Sequence, residues 1–284
     1  MFSKRHPIRT FLMVLATVLI HLTVANNSRA TVPVPSGFTL DKSYTGVKVY
    51  KKTYAGGAPD YVTIVDLRYA TLSSYTGWAY GTPDNGTVER RTIRTHWDNA
   101  FAQNTSSRIA RVAINGTFFV DKVNGVELNP TSIAFGLKAN WWQMSYGYAI
   151  GTEYPGKELT LAYDSGFGSS SIQPYNKDMF NWGIPDLVGG LDNSANKDGQ
   201  RNSYIPRTYV GVRDDNGDGH SETVVFFSSA YATQDWAVNI LSGFGAGSKM
   251  MLDGGGSTGL IVNGVDYISS SRPIPQAFIV WSGK

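Results

Sequence analysis

No cysteine occurs in the 284 residues, so the chain can form neither a disulfide frame nor a thiolate nucleophile or metal site. Histidine is almost as scarce. Of the four present, His6 and His21 lie in the first thirty residues, which leaves His96 and His220. A zinc centre of the usual His/Cys type therefore lacks its ligands. His96, beside Trp97 in a stretch with helical spacing, reads as an exposed or satisfied surface histidine, and His220 as a turn residue. Long hydrophobic runs are missing too. The one apolar block, Phe11 to Ala25, is about 15 residues long, short of the roughly 18–20 that cross a bilayer as a helix. With Lys4, Arg5 and Arg9 before it and Ser28-Arg29-Ala30 after it, residues 1–30 have the shape of a secretory signal peptide, an uncleaved anchor being the alternative. The expectation is an exported protein, periplasmic or secreted, with no membrane span in its mature form.

Basic clusters are also absent. Removing the four cations of the leader (Lys4, Arg5, Arg9, Arg29) turns the formal net charge of +3 into −1. A near-neutral mature chain without a Lys/Arg run offers no footprint for nucleic acid or an anionic membrane, so any anionic ligand has to be held locally. Neither a Walker motif nor a G-x-G-x-x-G signature is present, which leaves nucleotide cofactors without support. Gly255-Gly256-Ser257-Thr258-Gly259 matches the G-x-S-x-G elbow of serine hydrolases only in form. An elbow opens a helix and needs a later histidine, whereas here an apolar strand follows and no histidine lies beyond residue 220.

What the sequence does contain is glycine (31) and aromatic residues (16 Tyr, 13 Phe, 7 Trp), a composition suited to a turn-rich sheet protein with aromatic-lined grooves. Segments 61–67, 108–114, 208–212, 223–227, 249–252, 259–263 and 277–281 are short, β-rich and bounded by turn residues, and each predicts a strand. Helical spacing occurs at 92–103, with Ile93, Trp97, Ala100 and Phe101 on one face, and at 234–244, with Trp236, Ile240, Leu241 and Phe244 behind a Thr233 cap. Strands outnumber helices without a β-α-β repeat. The expectation is an α+β fold with mixed or antiparallel sheets and a few packed helices: an extension over 31–59, then a single catalytic domain over 60–284.

Four strand ends concentrate polar chemistry. The run Met250-Met251-Leu252-Asp253-Gly254-Gly255-Gly256-Ser257-Thr258 delivers an aspartate at the end of a strand, then three glycines and two hydroxyls. Amides bare of side chains there can approach phosphate or sugar oxygens closely, and Asp253 is placed to act as acid, base or hydroxyl acceptor. Asn115-Gly116-Thr117-Phe118-Phe119 ends a second strand; its N-x-T pattern is set among apolar residues, which argues against glycosylation. Arg207-Thr208 opens a third strand and Arg272-Pro273 precedes the last, and either guanidinium could clamp a phosphodiester bidentately. Asp214, Asn216 and Asp218 alternate as in the start of a calcium loop. A full loop would place a Glu where Val225 stands, and Asn-Gly and Asp-Gly are also ordinary hairpin-turn residues.

The blocks NGTFF (115–119), IPDLVGG (184–190), PRTYVGV (206–212), MMLDGGGSTGLIVNG (250–264) and SRPIPQAFIVW (271–281), in this order, resemble the phosphodiester glycosidase family across roughly residues 60–282. The resemblance implies hydrolysis between a sugar anomeric carbon and a phosphodiester oxygen, of the GlcNAc-1-phosphodiester kind. It suggests Asp253 as acid/base, with Asn115 and Arg207 completing the catalytic set. Thr117, Thr208, Ser257, Thr258, Arg272 and the Gly254, Gly255 and Gly256 amides would hold sugar or phosphate. A second carboxylate is open between Asp186, Asp192 and Glu127. No cofactor is expected, calcium at Asp214, Asn216 and Asp218 being the one option. The substrate is either a sugar phosphodiester or a cell-envelope glycan. A non-catalytic glycan-binding module, suggested by Trp141-Trp142 with Tyr146 and Tyr148, and a hydrolase cutting the other phosphate ester bond are the rival readings.

Overall fold

The computed structural model describes residues 33–284, so the leader lies outside the described residues. The seven runs expected as strands are strands: Gly57–Asp66, Ile109–Asn115, Ile205–Arg213, Thr223–Ala232, Lys249–Met251, Leu260–Val262 and Gln276–Ser282. They read as nearly continuous apolar runs because both faces of their sheets are covered. An 11-stranded sheet is built outward from Thr223–Ala232, Ile205–Arg213, Lys249–Met251 and Asp186–Leu191, and a 5-stranded sheet is centred on Ile109–Asn115.

The two sheets pack face to face. Alternate residues of each, such as Val210 and Val212 on one and Val112, Ile114, Phe278 and Val280 on the other, form a shared core. The alternating positions point away and are covered by a helix on each side. Helix α1 (Ile93–Phe101), capped by Thr92, lays Ile93, Trp97 and Ala100 against Ala113, Ile261, Ala277 and Ile279 of the smaller sheet. Helix α2 (Gln234–Gly243), capped by Thr233, lays Ala237, Ile240 and Leu241 against Tyr209, Val225, Phe227 and Met251 of the larger one.

Three expectations need correction. The fold is largely β: the strands of the described residues pair antiparallel, as one of the two expected arrangements has it, but those residues contain only these two α-helices, so α+β overstates the helical share. Strands Val47–Tyr54, Ala70–Thr76, Glu158–Asp164 and Ser169–Pro174 escape the sequence because lysine, serine and threonine interrupt their apolar pattern. A boundary at residue 60 falls inside the strand Gly57–Asp66, to which Val47–Tyr54 is hydrogen-bonded along its length, so residues 39–54 belong to the large sheet. His96 and Phe101 exchange their expected places. Phe101 is exposed, whereas His96 is buried with Nε2 3.2 Å from the Ile274 carbonyl, and burial pulls its pKa down to about 4, leaving a neutral ring that donates from Nε2.

Phe226 is buried between the sheets, 5.0 Å from Phe278 by ring centroids. Truncation to alanine is expected to cost about 3–5 kcal/mol. Phe101→Ala, on the exposed edge of α1, is expected to change stability by no more than about 0.5 kcal/mol. Chemical denaturation of the two variants checks both.

Candidate active site

The chain leaves the large sheet at Met251 and enters the small one at Leu260, so the segment Leu252–Gly259 is the crossing between the two sheets. Asn115, at the end of the central strand of the small sheet, fastens that crossing. Its Nδ2 donates to the Asp253 carbonyl at 2.6 Å, while its Oδ1 accepts from the Thr208 hydroxyl at 2.6 Å and from the Gly259 amide at 3.2 Å. Backbone bonds from Leu252 N to Thr208 O and from Asp253 N to Gly116 O, each 3.0 Å, bind the same segment to both sheets. Asn115 is fully buried, which also excludes it as a glycan acceptor in the folded chain.

Two glycines are dictated by this packing. A Cβ on Gly116 would lie 1.6 Å from Oε1 of Gln276, the atom that accepts the Thr117 amide, and a Cβ on Gly254 would lie 3.0 Å from the Pro206 carbonyl. Gly255 (φ +57°) begins a single 3-10 turn, Gly255–Ser257. As the first residues of that turn, Gly255 and Gly256 have no intrahelical acceptor for their amides. Of the side chains that follow, the hydroxyls of Ser257 and Thr258 are buried without a well-formed hydrogen bond, although that of Ser257 lies near enough to Asp253 to favour its carboxylate. Buried hydroxyls are normally satisfied, so the Thr258 hydroxyl is a donor that the chain itself leaves unused.

Asp253 leads this turn and accepts from the Gly254 amide at 3.0 Å. Part of its side chain is open to solvent, yet so much protein surrounds the carboxyl that burial pushes its pKa up to about 6. Ser257, the charge of Arg272, the Gly254 amide and the more distant Lys197 oppose that rise without cancelling it. Arg272 lies over Gly256, stacked on Phe119 at 5.1 Å, and its Nη2 meets Asp121 at 2.9 Å; its Nε is buried without a partner. Asp121 also binds Arg90 at 2.6 Å, so two guanidiniums and one aromatic ring brace each other beside the turn.

The structure thus brings Asp253, Gly254, Gly255, Gly256, Ser257, Thr258 and Arg272 together and separates the rest into a supporting frame. Thr208 gives its hydroxyl hydrogen to Asn115, and Thr117 gives its own to the Gly189 carbonyl at 3.2 Å. Arg207 departs furthest from expectation. Instead of facing a ligand, its Nε and Nη2 are spent on the backbone carbonyls of Ala232, Gln200 and Ser203, which pins the loop 193–204. That loop carries Lys197, whose charge reaches Asp253 and which no motif in the sequence singles out. Gln276 was also missed, although a glutamine opening an otherwise apolar strand was a visible signal.

None of the three carboxylates considered as a partner meets Asp253. Leu191 pairs with Met251, so Asp186 lies about three strand positions, roughly 10 Å, beyond the level of Asp253. It is buried with Asn140 N donating to it at 3.1 Å and Tyr163 beside it, and burial pushes its pKa up to about 7. Asp192 caps Ser194, and Glu127 pairs with Arg90 and Lys122 at the surface. In the turn around Asp214, the carboxylates of Asp214, Asp218 and Glu222 converge within 4.8 Å; the Asp214 and Asp218 oxygens already accept backbone amides of the same turn. Among the described residues no helix is long and apolar enough to cross a membrane.

Two packed antiparallel sheets, joined by a glycine-rich turn that an aspartate opens, fit one class. The chain matches the phosphodiester glycosidase family over residues 108–281, a span that holds every residue of the turn and its frame, and it belongs to that family of hydrolases. Among solved structures, a hypothetical protein from Synechocystis is similar in fold, with a TM-score of 0.53 at 12% identity over 87% of this chain and 69% of that one. The zebrafish N-acetylglucosamine-1-phosphodiester alpha-N-acetylglucosaminidase catalytic domain, auto-inhibited by pro-peptide, is similar at a TM-score of 0.47 and 15% identity, over 87% and 81% of the two chains. No curated protein matches the chain.

Replacing Asn115 by alanine strands the Thr208 hydroxyl, the Gly259 amide and the Asp253 carbonyl at once. The expected loss is on the order of 3 kcal/mol of stability. Thermal unfolding measures it, and an unchanged melting temperature would show that the amide does not hold the crossing.

Proposed function

We propose that this chain is an exported hydrolase, periplasmic or secreted, that cleaves the bond between the anomeric carbon of a sugar and the phosphate oxygen of a glycosyl-1-phosphodiester, of the GlcNAc-1-phosphodiester kind. The observation that carries the reading is one carboxyl poised near neutrality at the head of a turn that offers hydroxyls and amides. In the proposed step Asp253, as carboxylate, takes a proton from water while the water oxygen bonds to the anomeric carbon. The carbon–oxygen bond to phosphorus breaks and its electron pair leaves with the phosphate. A phosphomonoester is a good leaving group that needs charge stabilisation rather than a proton, so one carboxylate suffices and the step asks nothing of Asp186, Asp192 or Glu127.

The leaving charge falls to the Gly255 and Gly256 amides, the Ser257 and Thr258 hydroxyls and Arg272, which Asp121 and Phe119 hold in place. Asn115, Thr117, Thr208 and Arg207 position these groups without touching the substrate. Because the phosphate meets protein cations and dipoles, the reaction is proposed to run without a cofactor, and EDTA treatment is expected to leave the rate unchanged.

Asp253→Asn is expected to lower the release of free sugar from a GlcNAc-1-phosphodiester by roughly 10²–10⁴-fold. Product analysis checks the bond cleaved. Sugar phosphate and an alcohol in place of free sugar and a phosphomonoester would overturn the assignment. Since the working form is the carboxylate, kcat/KM should fall about tenfold per pH unit as the pH drops below about 6.

The same group has a second signature. A carboxyl whose folded pKa is raised binds its proton more tightly in the folded chain, so its contribution to stability is lost as the pH rises from the unfolded value toward about 6. Asp253→Asn is therefore expected to gain on the order of 1–2 kcal/mol at neutral pH and little at pH 4. Denaturation at the two pH values tests this.

A further inference from the structure

On the other side of the segment that carries Arg90, a cavity of about 550 Å³ is lined by Trp78, Ala79, Arg91, Trp142 and Met144. Trp78 and Trp142 are the most exposed tryptophans of the described residues, at 71% and 68%, with Trp141 following at 59%. Two indoles left largely in water across one cleft bury little of their apolar surface in the folded chain. The cleft is nevertheless built rigidly. A Cβ on Gly77 would lie 2.2 Å from the Glu89 carbonyl and one on Gly86 would lie 1.8 Å from the Met144 carbonyl, so both walls are backbone packed directly on backbone.

The lip is strained as well. Asn140 and Trp141, the turn residues of the hairpin that presents Trp142, both have left-handed backbone, at φ +48° and +72°. Glycine would relax the second position, where the Trp141 indole is mostly exposed and meets the Lys138 ammonium 5.7 Å from its ring centroid. The turn is held instead from beneath, by Asn140 N donating to Asp186 and Trp141 N donating to the Pro185 carbonyl at 2.8 Å.

The chemistry of the lining selects one kind of occupant. The indole faces suit a flat apolar surface, and the polar group beside them is Arg91, whose Nη2 is neutralised by Glu89 at 2.8 Å. A paired guanidinium and carboxylate attract neither anions nor cations, but together they offer donors and acceptors to hydroxyls. Pyranose rings combine an apolar C–H face with a rim of hydroxyls. We propose that the Trp78–Trp142 cleft is a glycan-binding site, separate from the catalytic turn, that stacks the pyranose rings of a neutral oligosaccharide. Arg91 and Ile274 exchange backbone hydrogen bonds two residues from Arg272, so a glycan held here keeps the enzyme on a carbohydrate surface without entering the turn.

The test titrates the full chain with tetrasaccharides of N-acetylglucosamine, glucose and mannose, following tryptophan fluorescence and calorimetry, beside Trp78→Ala and Trp142→Ala. Saturable binding of at least one tetrasaccharide is expected, weakened about tenfold in each variant. Circular dichroism and the release of sugar from a small glycosyl phosphodiester should remain as in the wild type. No saturable binding of any of the three, or binding unaltered in both variants, would overturn the proposal. Binding by a chain that hydrolyses no phosphodiester would sink the catalytic reading and leave this one standing.

Discussion

The side-chain amide of Asn115 is the contact on which the remainder of the molecule depends. One planar group satisfies a hydroxyl on the large sheet, an amide at the start of the returning strand and the carbonyl of Asp253 between them. Within the buried interior such bonds gain strength from the low polarity of their surroundings, and each group would be costly if left unpaired. The register between the sheets and the position of the carboxyl are therefore fixed by the same atoms. A substrate-binding role for Asn115 would have to give up this work, because its two acceptor sites and one of its two donors are already engaged.

The turn around Asp253 divides its labour between frame and ligand. Arg207 is buried and turned inward to three carbonyls, while Arg272 is left with a buried Nε that meets no protein acceptor. Both arginines stand at a strand mouth in the sequence, yet of the two it is Arg272 that lies over Gly256 of the turn. The carboxyl itself is kept near its titration point by the balance between burial, which favours the neutral acid, and Ser257, Arg272 and the Gly254 amide, which favour the anion.

Much of this was legible before any coordinate. The turn from Asp253 to Thr258 was marked by three glycines and two hydroxyls at the end of an apolar run, and the seven strongest strands and both helices by periodicity and caps. Hidden from the sequence was the direction of side chains at strand ends: nothing in Pro-Arg-Thr tells whether Arg207 faces solvent or a neighbouring loop. Strands such as Val47–Tyr54 and Ser169–Pro174 were hidden for a different reason. They lie at or near sheet margins, where hydroxyls and lysines are tolerated and the alternation that betrays a half-buried strand is broken. Lys197 belongs to a loop whose course is set by distant Arg207 and Gln234, a relation that no local pattern encodes.

Because the glycine-rich turn is also the passage from one sheet to the other, it has no existence within either sheet alone. The groups that give Asp253 its environment arrive from residues 115, 207 and 272, which come into proximity only after non-local strand pairing is complete. A partly assembled chain, in which each sheet has formed but the two have not yet met, would hold its strands and lack its chemistry. The surroundings of Asp253 thus exist only where the two sheets are joined, and they are lost when the sheets part.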